Sequence, residues 1–253
     1  VVRRDGRLPG LRIVRTVWEM KSCSAEERGK GHTIGLVPTM GAFHEGHLSL
    51  IGAARRECSF VVASIFVNPT QFGPAEDYAT YPRPFDDDVR RAGELGVDVV
   101  YAPSVEEVYP RGYETYLEPG PTGNILCGRS RPGHFRGVLT VVLKLFTAVS
   151  PHRAYFGEKD YQQLLLVRRM VKDFQLDVEV VGMPTVREPD GLAASSRNLC
   201  LSPDGRRAAL GLSRALFRAR LLVVEAGERD AAALKSKIIS WLQQDRLCRS
   251  QLL

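Results

Sequence analysis

The stretch TIGLVPTMGAFHEGHLSLI, residues 33–51, passes from a short β-branched apolar run through Pro-Thr-Met-Gly into a segment of helical period. It predicts a buried strand over 33–38, a tight turn, and a helix over 46–57. The same alternation recurs on both sides of it. Strands are predicted over 60–67, 97–101, 153–156 and 178–181, and helices over 85–95, 135–148 and 160–174, where Leu164, Val167 and Val171 recur at three and four. Short buried strands alternating with helices make a parallel sheet with crossover helices, so the fold class is α/β, a doubly wound parallel sheet. Residues 183–202 carry two prolines and a glycine and read as loop, and helices follow over 203–225 and 229–244. The expected domains are therefore 1–182 and a smaller one over 183–253.

Composition narrows the classes. With 44% hydrophobic, 25% charged and 8% aromatic residues in 253, disorder, collagen-like repeats and coiled coil are excluded. The net charge of +6 suits an anionic partner, but the densest basic clusters are pairs (Arg3-Arg4, Arg55-Arg56, Arg168-Arg169), so no nucleic-acid stripe is expected. Five cysteines, odd in number and without a CxxC pair, argue against a disulfide framework or zinc ribbon and for a reducing cytoplasm. Arg3, Arg4, Asp5 and Arg7 have no apolar h-region behind them, so no secretory signal is expected. The apolar stretch 138–149 is interrupted by Lys144 and is shorter than the roughly 20 residues a membrane span needs, which predicts a soluble protein.

In open parallel sheets, ligands lie beyond the carboxyl ends of the strands, where Met40-Gly41-Ala42-Phe43-His44-Glu45-Gly46-His47 stands. His44 and His47, three apart at a helix start, can face one ligand; free N–H groups and the positive helix end favour a phosphate there, and Gly46 leaves room for a flat base. An ordinary turn with exposed histidines, or an HxxH metal site lacking a third ligand, remains open. Gly157-Glu158-Lys159-Asp160 is a second strand end: Lys159 can neutralise a phosphate and Asp160 can accept from ribose hydroxyls, or Asp160 is an N-cap and Lys159 is solvated. A third segment, Ala194-Ser195-Ser196-Arg197, suits oxyanions but also reads as a plain polar loop. Gln71 follows the second strand and can read a hydroxyl or carboxylate. The run Asp86-Asp87-Asp88 resembles a magnesium site but is expected to cap its own helix. Arg129, Arg131, His134 and Arg136 form a cationic cluster that suits either an anion or an interface.

Five segments in order, VPTMGAFHEGHLSLI (37–51), SIFVNPTQFGPAEDYATYPR (64–83), GRSRPGHFRGVLTVV (128–142), YFGEKDYQQL (155–164) and VREPDGLAASSRNLCLS (186–202), resemble the pantothenate synthetase (pantoate–β-alanine ligase) family. That family belongs to a nucleotidyltransferase superfamily with a Rossmann-like fold, in which an HxGH motif and a KMSKS-like loop clamp ATP. The resemblance implies that (R)-pantoate and ATP give pantoyl adenylate and pyrophosphate, and that β-alanine then displaces AMP to give pantothenate, with Mg2+ accompanying ATP. It implies an ATP site from Met40, Gly41, Ala42, Phe43, His44, Glu45, Gly46, His47, Gly157, Glu158, Lys159, Asp160, Val186, Ala194, Ser195, Ser196 and Arg197. Within it, His47, His44 and Lys159 would be catalytic, Gln71 and Gln163 would hold pantoate, and Gln71 would also contact β-alanine. No metal ligand from the protein is implied. The family carries Met where this chain has Ala194, and its C-terminal lid domain is longer than residues 183–253. A cytoplasmic homodimer acting on small molecules, without nucleic acid or membrane, is the implied setting. The competing readings are a nucleotidyltransferase that forms no amide and a catalytically impaired protein that binds nucleotide or RNA.

Overall fold

A computed structural model describes residues 10–74 and 76–244. The N-terminal charges Arg3, Arg4, Asp5 and Arg7, as well as Cys248 and the last residues to Leu253, lie outside the described residues. The chain divides into two compact units on either side of the Pro184–Thr185 bond.

The first unit is built on one sheet of six strands: β1 (Arg12–Val14), β2 (Ile34–Thr39), β3 (Phe60–Ile65), β4 (Val99–Tyr101), β5 (Arg153–Gly157) and β6 (Glu179–Met183). Their order is β1-β4-β3-β2-β5-β6 and every pairing is parallel. Its longer helices are α1 (Val17–Gly29), α2 (Glu45–Glu57), α3 (Phe85–Glu94), α6 (His134–Val149) and α7 (Tyr161–Asp173), with the one-turn helices α4 (Val105–Val108) and α5 (Cys127–Ser130) between. The expected doubly wound α/β class is what the sheet order and flanking helices give.

Alternation along the strands explains the two layers of helix. Ile34 and Leu36 of β2, Phe60 and Val62 of β3, and Ala154 and Phe156 of β5 pack on one face with α1, α6 and α7. Val37, Val61, Ala63 and Tyr155 face the other way, against α2 and α3. With both faces covered, the central strands read as continuous apolar runs. That is the signal the sequence carries at 33–38 and 60–67.

β1 and α1 have no counterpart among the expected elements. β1 is a three-residue edge strand, and α1 buries only Met20, Cys23, Ser24 and Glu27 behind a polar surface. A local signal for α1 is nevertheless present, since Thr16 and Glu19 form a capping box in which each side chain bonds the other's backbone N–H.

In the second unit, a loop leads to α8 (Pro203–Val224) and α9 (Ala231–Gln244). Ser202 caps α8 by accepting from Gly205 N–H at 3.0 Å, with Pro203 at the first helical position. Among the described residues, no helix is long and apolar enough to cross a membrane.

Candidate functional site

β2 pairs with β3 on one side and with β5 on the other, and the chain leaves these strands in opposite directions across the sheet. The carboxyl ends of β2 and β5 therefore flank a topological switch point, where the crevice of an open α/β sheet lies. Residues 40–47 leave one of these ends and residues 157–160 leave the other.

The loop after β2 turns through two left-handed residues, Gly41 at φ 84° and Ala42 at φ 52°. His44 then sits in extended conformation as the N-cap of α2. Its Nδ1 accepts the N–H of Gly46 at 3.1 Å, and Nδ1 of His47 accepts the N–H of His44 at 3.4 Å. The two rings lie 4.0 Å apart between centroids. A neutral imidazole whose Nδ1 accepts must carry its proton on Nε2. Both histidines thus spend one nitrogen on the helix start and keep an Nε2–H as donor.

Electrostatics favour that neutral state. Burial pushes His47 down to about 3, helped by the charges of His44, Lys159 and Arg91. His44 is lowered as well, by burial first and then by Lys159 and Arg91. Lys159 follows β5, the strand paired with β2, and its charge disfavours the protonated form of both rings. Lys159 has a half-exposed side chain whose ammonium stands 3.7 Å from Asp160. Asp160 caps nothing: it occupies the N-cap position of α7 without a side-chain hydrogen bond, so the capping alternative is set aside.

Gln71 ends a 3-10 turn, Pro69–Gln71, after β3. Its Oε1 accepts from Asn68 Nδ2 at 3.1 Å, which leaves Nε2 as the outward donor, 3.3 Å from Met40 Sδ. Asn68, buried, also donates to Gly137 O at 3.1 Å and accepts from Tyr109 OH at 2.9 Å. Sequence reasoning misses Asn68 and Tyr109. Their role depends on contacts spanning 69 and 41 positions along the chain, which no local pattern reports. Gln163 is half-buried near the start of α7 and has no side-chain hydrogen bond among the described residues.

The acidic run corrects the sequence reading. α3 has Pro84 at its N-cap and no side-chain capping bond. Asp88 is instead buried, and its two oxygens accept the N–H groups of Ala42 and Phe43 at 2.7 Å each. Asp87 pairs with Arg90 on the surface. The expected self-capping fails because two backbone N–H groups of the β2 loop are better placed to satisfy the buried carboxylate than the first turn of its own helix.

The basic cluster is largely neutralised. Arg131 makes a two-pronged pair with Glu76 at 2.7 and 2.5 Å, and Arg136 lies 3.4 Å from Glu118 and 4.0 Å over the Tyr116 ring. His134 bonds Gln71 O through Nδ1 at 2.8 Å, and these residues line a cleft of about 600 Å³ that Gln71 also borders.

In the second unit, Ala194 N–H bonds Val186 O at 2.9 Å, which makes the loop a narrow antiparallel pair. Ser195 accepts from Arg197 N–H at 3.3 Å, Ser196 is buried, and Arg197 reaches the surface. Asn198 bonds Glu188 at 2.7 Å, and Arg206 bonds both Glu188 and Asp190 at 2.6 Å, fixing the loop's base.

The family model for pantoate-beta-alanine ligase matches residues 12–252. A pantothenate synthetase of Thermotoga petrophila is 56% identical over 92% of this chain and 83% of its own length. The crystal structure of pantothenate synthetase from Thermus thermophilus superposes with a TM-score of 0.86 at 51% identity, covering 93% of this chain and 83% of that one. A pantoate-beta-alanine ligase from Francisella tularensis, solved in complex with beta-gamma ATP and beta-alanine, superposes with a TM-score of 0.80 at 41% identity, covering 91% of this chain and 86% of that one.

Proposed function

The chain belongs to the pantoate-beta-alanine ligase family and is a ligase of pantothenate synthesis that uses ATP, and from that premise we propose that it works through a pantoyl adenylate. A pantoate carboxylate oxygen attacks the α-phosphorus of ATP and pyrophosphate leaves with the electrons of the broken P–O bond. The amine of β-alanine then attacks the acyl carbon, AMP leaves, and the amine proton is lost to give the amide.

The observation that carries this reading is the pair of Nε2–H donors on His44 and His47 at the end of β2, with Lys159 following the neighbouring strand β5. Such a transfer needs no protein nucleophile. It needs fixed donors and positive charge where negative charge grows on the phosphate oxygens. We assign His47, His44 and Lys159 to the α-phosphate region, and residues 40–47 and 157–160 to ATP. Because both imidazoles are neutral, they act as hydrogen-bond donors and Lys159 supplies the full charge. Gln71 and Gln163 are assigned to pantoate, and Gln71 to β-alanine as well. Val186 is assigned to the adenine of ATP, and Ala194, Ser195, Ser196 and Arg197 to its phosphate-gripping loop.

Mg2+ is taken to accompany ATP, bound through its phosphates. A cytoplasmic homodimer is carried over with the family. Sedimentation at micromolar concentration checks the dimer.

The test of the function is AMP release with ATP and pantoate, with and without β-alanine. AMP that depends on all three supports the ligase. Pyrophosphate release with a stable adenylated product and no amine requirement would replace it with a plain nucleotidyltransferase.

A further inference from the structure

We propose that Asp88, together with Arg91 on the same helix, is the positioning residue of the histidine pair, a role that rests on the function proposed above. Two consecutive left-handed residues, Gly41 and Ala42, turn the N–H groups of Ala42 and Phe43 to one side. A concave run of N–H groups of this kind ordinarily takes a bound anion. Here the chain's own buried carboxylate fills it, one oxygen to each N–H at 2.7 Å. The approach is so close that a Cβ at Gly41 would stand 2.9 Å from Asp88 Oδ2, so glycine is needed there. Arg91 grips the same loop from outside. It donates to Phe43 O, and its guanidinium stands 3.2 Å from Glu45 Oε1.

α3 thus holds residues 42, 43 and 45, with His44 caught between them. The peptide geometry at this point sets both imidazoles, since the N–H of His44 bonds Nδ1 of His47 and the N–H of Gly46 bonds Nδ1 of His44. Asp88 therefore acts through the backbone: it fixes where the two Nε2–H groups point, while touching neither ring. Asp86 and Asp87 are exposed and have no such part.

The test is Asp88→Asn on the full chain. The amide is nearly the same size, but its NH2 faces one of the two backbone N–H groups, donor against donor. With the two imidazole donors displaced, kcat should fall by about ten- to a hundredfold, with the KM values for ATP and pantoate changed by less than about threefold. Imidazole 15N spectra of the free protein give a readout besides activity. The wild-type chain should show both active-site rings protonated on Nε2, and Asp88→Asn should shift or mix those signals. Asp88→Ala should regain part of its lost kcat on adding formate, which can refill the N–H pair.

Wild-type kcat together with unchanged imidazole signals in Asp88→Asn would overturn the proposal. If that variant fails to fold, Arg91→Met is measured instead, and unchanged kcat and spectra there would overturn it equally. A wild-type chain inactive in the three-substrate assay would sink the ligase reading while leaving the imidazole spectra to decide the positioning role.

Discussion

Gly137→Ala, in the first turn of α6, should damage the site from behind. A Cβ at this position would lie 2.2 Å from Thr70 O, 2.5 Å from Thr70 C and 2.7 Å from Gln71 N. A carbon needs about 3.3 Å to a carbonyl oxygen, so the 3-10 turn must retreat by about 1 Å. The obstacle is backbone, which cannot rotate away as a side chain can. Overpacking of this kind costs about 1–3 kcal/mol, against roughly 1 kcal/mol returned by the better helix propensity of alanine. The variant should therefore lose up to about 2 kcal/mol in urea unfolding, which corresponds to a melting point lower by up to about 8 °C for a chain of this size. The retreating turn carries Gln71 and strains the 3.1 Å bond from Asn68 to Gly137 O. A misplacement of about 1 Å at a binding group can cost up to about a hundredfold, so the KM for pantoate should rise by about tenfold or more while that for ATP stays close to wild type. A Gly137→Ala protein as stable as wild type, with an unchanged KM for pantoate, would refute both the packing argument and the placement of Gln71.

Lys159→Ala should lower AMP formation by about 10²–10³-fold, as expected for loss of a fixed charge at the reacting phosphate, while urea unfolding moves by less than about 0.5 kcal/mol because the side chain is half-exposed with one distant ion-pair partner. Gly46→Ala would bring a Cβ within 2.8 Å of His44 Cε1, so the ring must swing off the helix start; kcat should fall by about tenfold, while the lost cap of about 1 kcal/mol roughly offsets alanine's better helix propensity, and equal kcat would count against the role of that ring. His47 titrates near its ordinary 6.5 in the unfolded chain and at about 3 in the folded one. Between those values the unfolded state binds more protons, so its contribution to stability is complete above about 6.5 and is lost as pH falls toward 3. Melting points of His47→Gln should consequently fall less steeply than wild type from pH 7 to about 4, and parallel curves would show that the ring is not held neutral by the fold.

Much of this site is legible in the sequence. The apolar run ending in Pro-Thr-Met-Gly marks a strand buried on both faces, and the two histidines at the following helix start fall at the switch point because the sheet order puts β2 beside β5. What the sequence hides has a common physical cause. Asp88 serves N–H groups 45 and 46 positions away, and its local setting, an acidic first turn, imitates self-capping. Gln71 stands out as a polar residue after a strand, but the direction of its amide is decided by Asn68 and, behind that, by Tyr109 on a distant turn. The edge strand β1 is too short for a period-2 pattern to register, whereas the Thr16–Glu19 capping box of α1 is a readable local signal.

The adenylation step is tested most directly with pantoate carrying 18O in its carboxylate. If a carboxylate oxygen attacks the α-phosphorus and the C–O bond is later broken by β-alanine, one 18O must appear in the phosphate of the AMP released. Label found instead in inorganic phosphate, or retained wholly in pantothenate and unreacted pantoate while AMP forms unlabelled, would contradict the route through pantoyl adenylate.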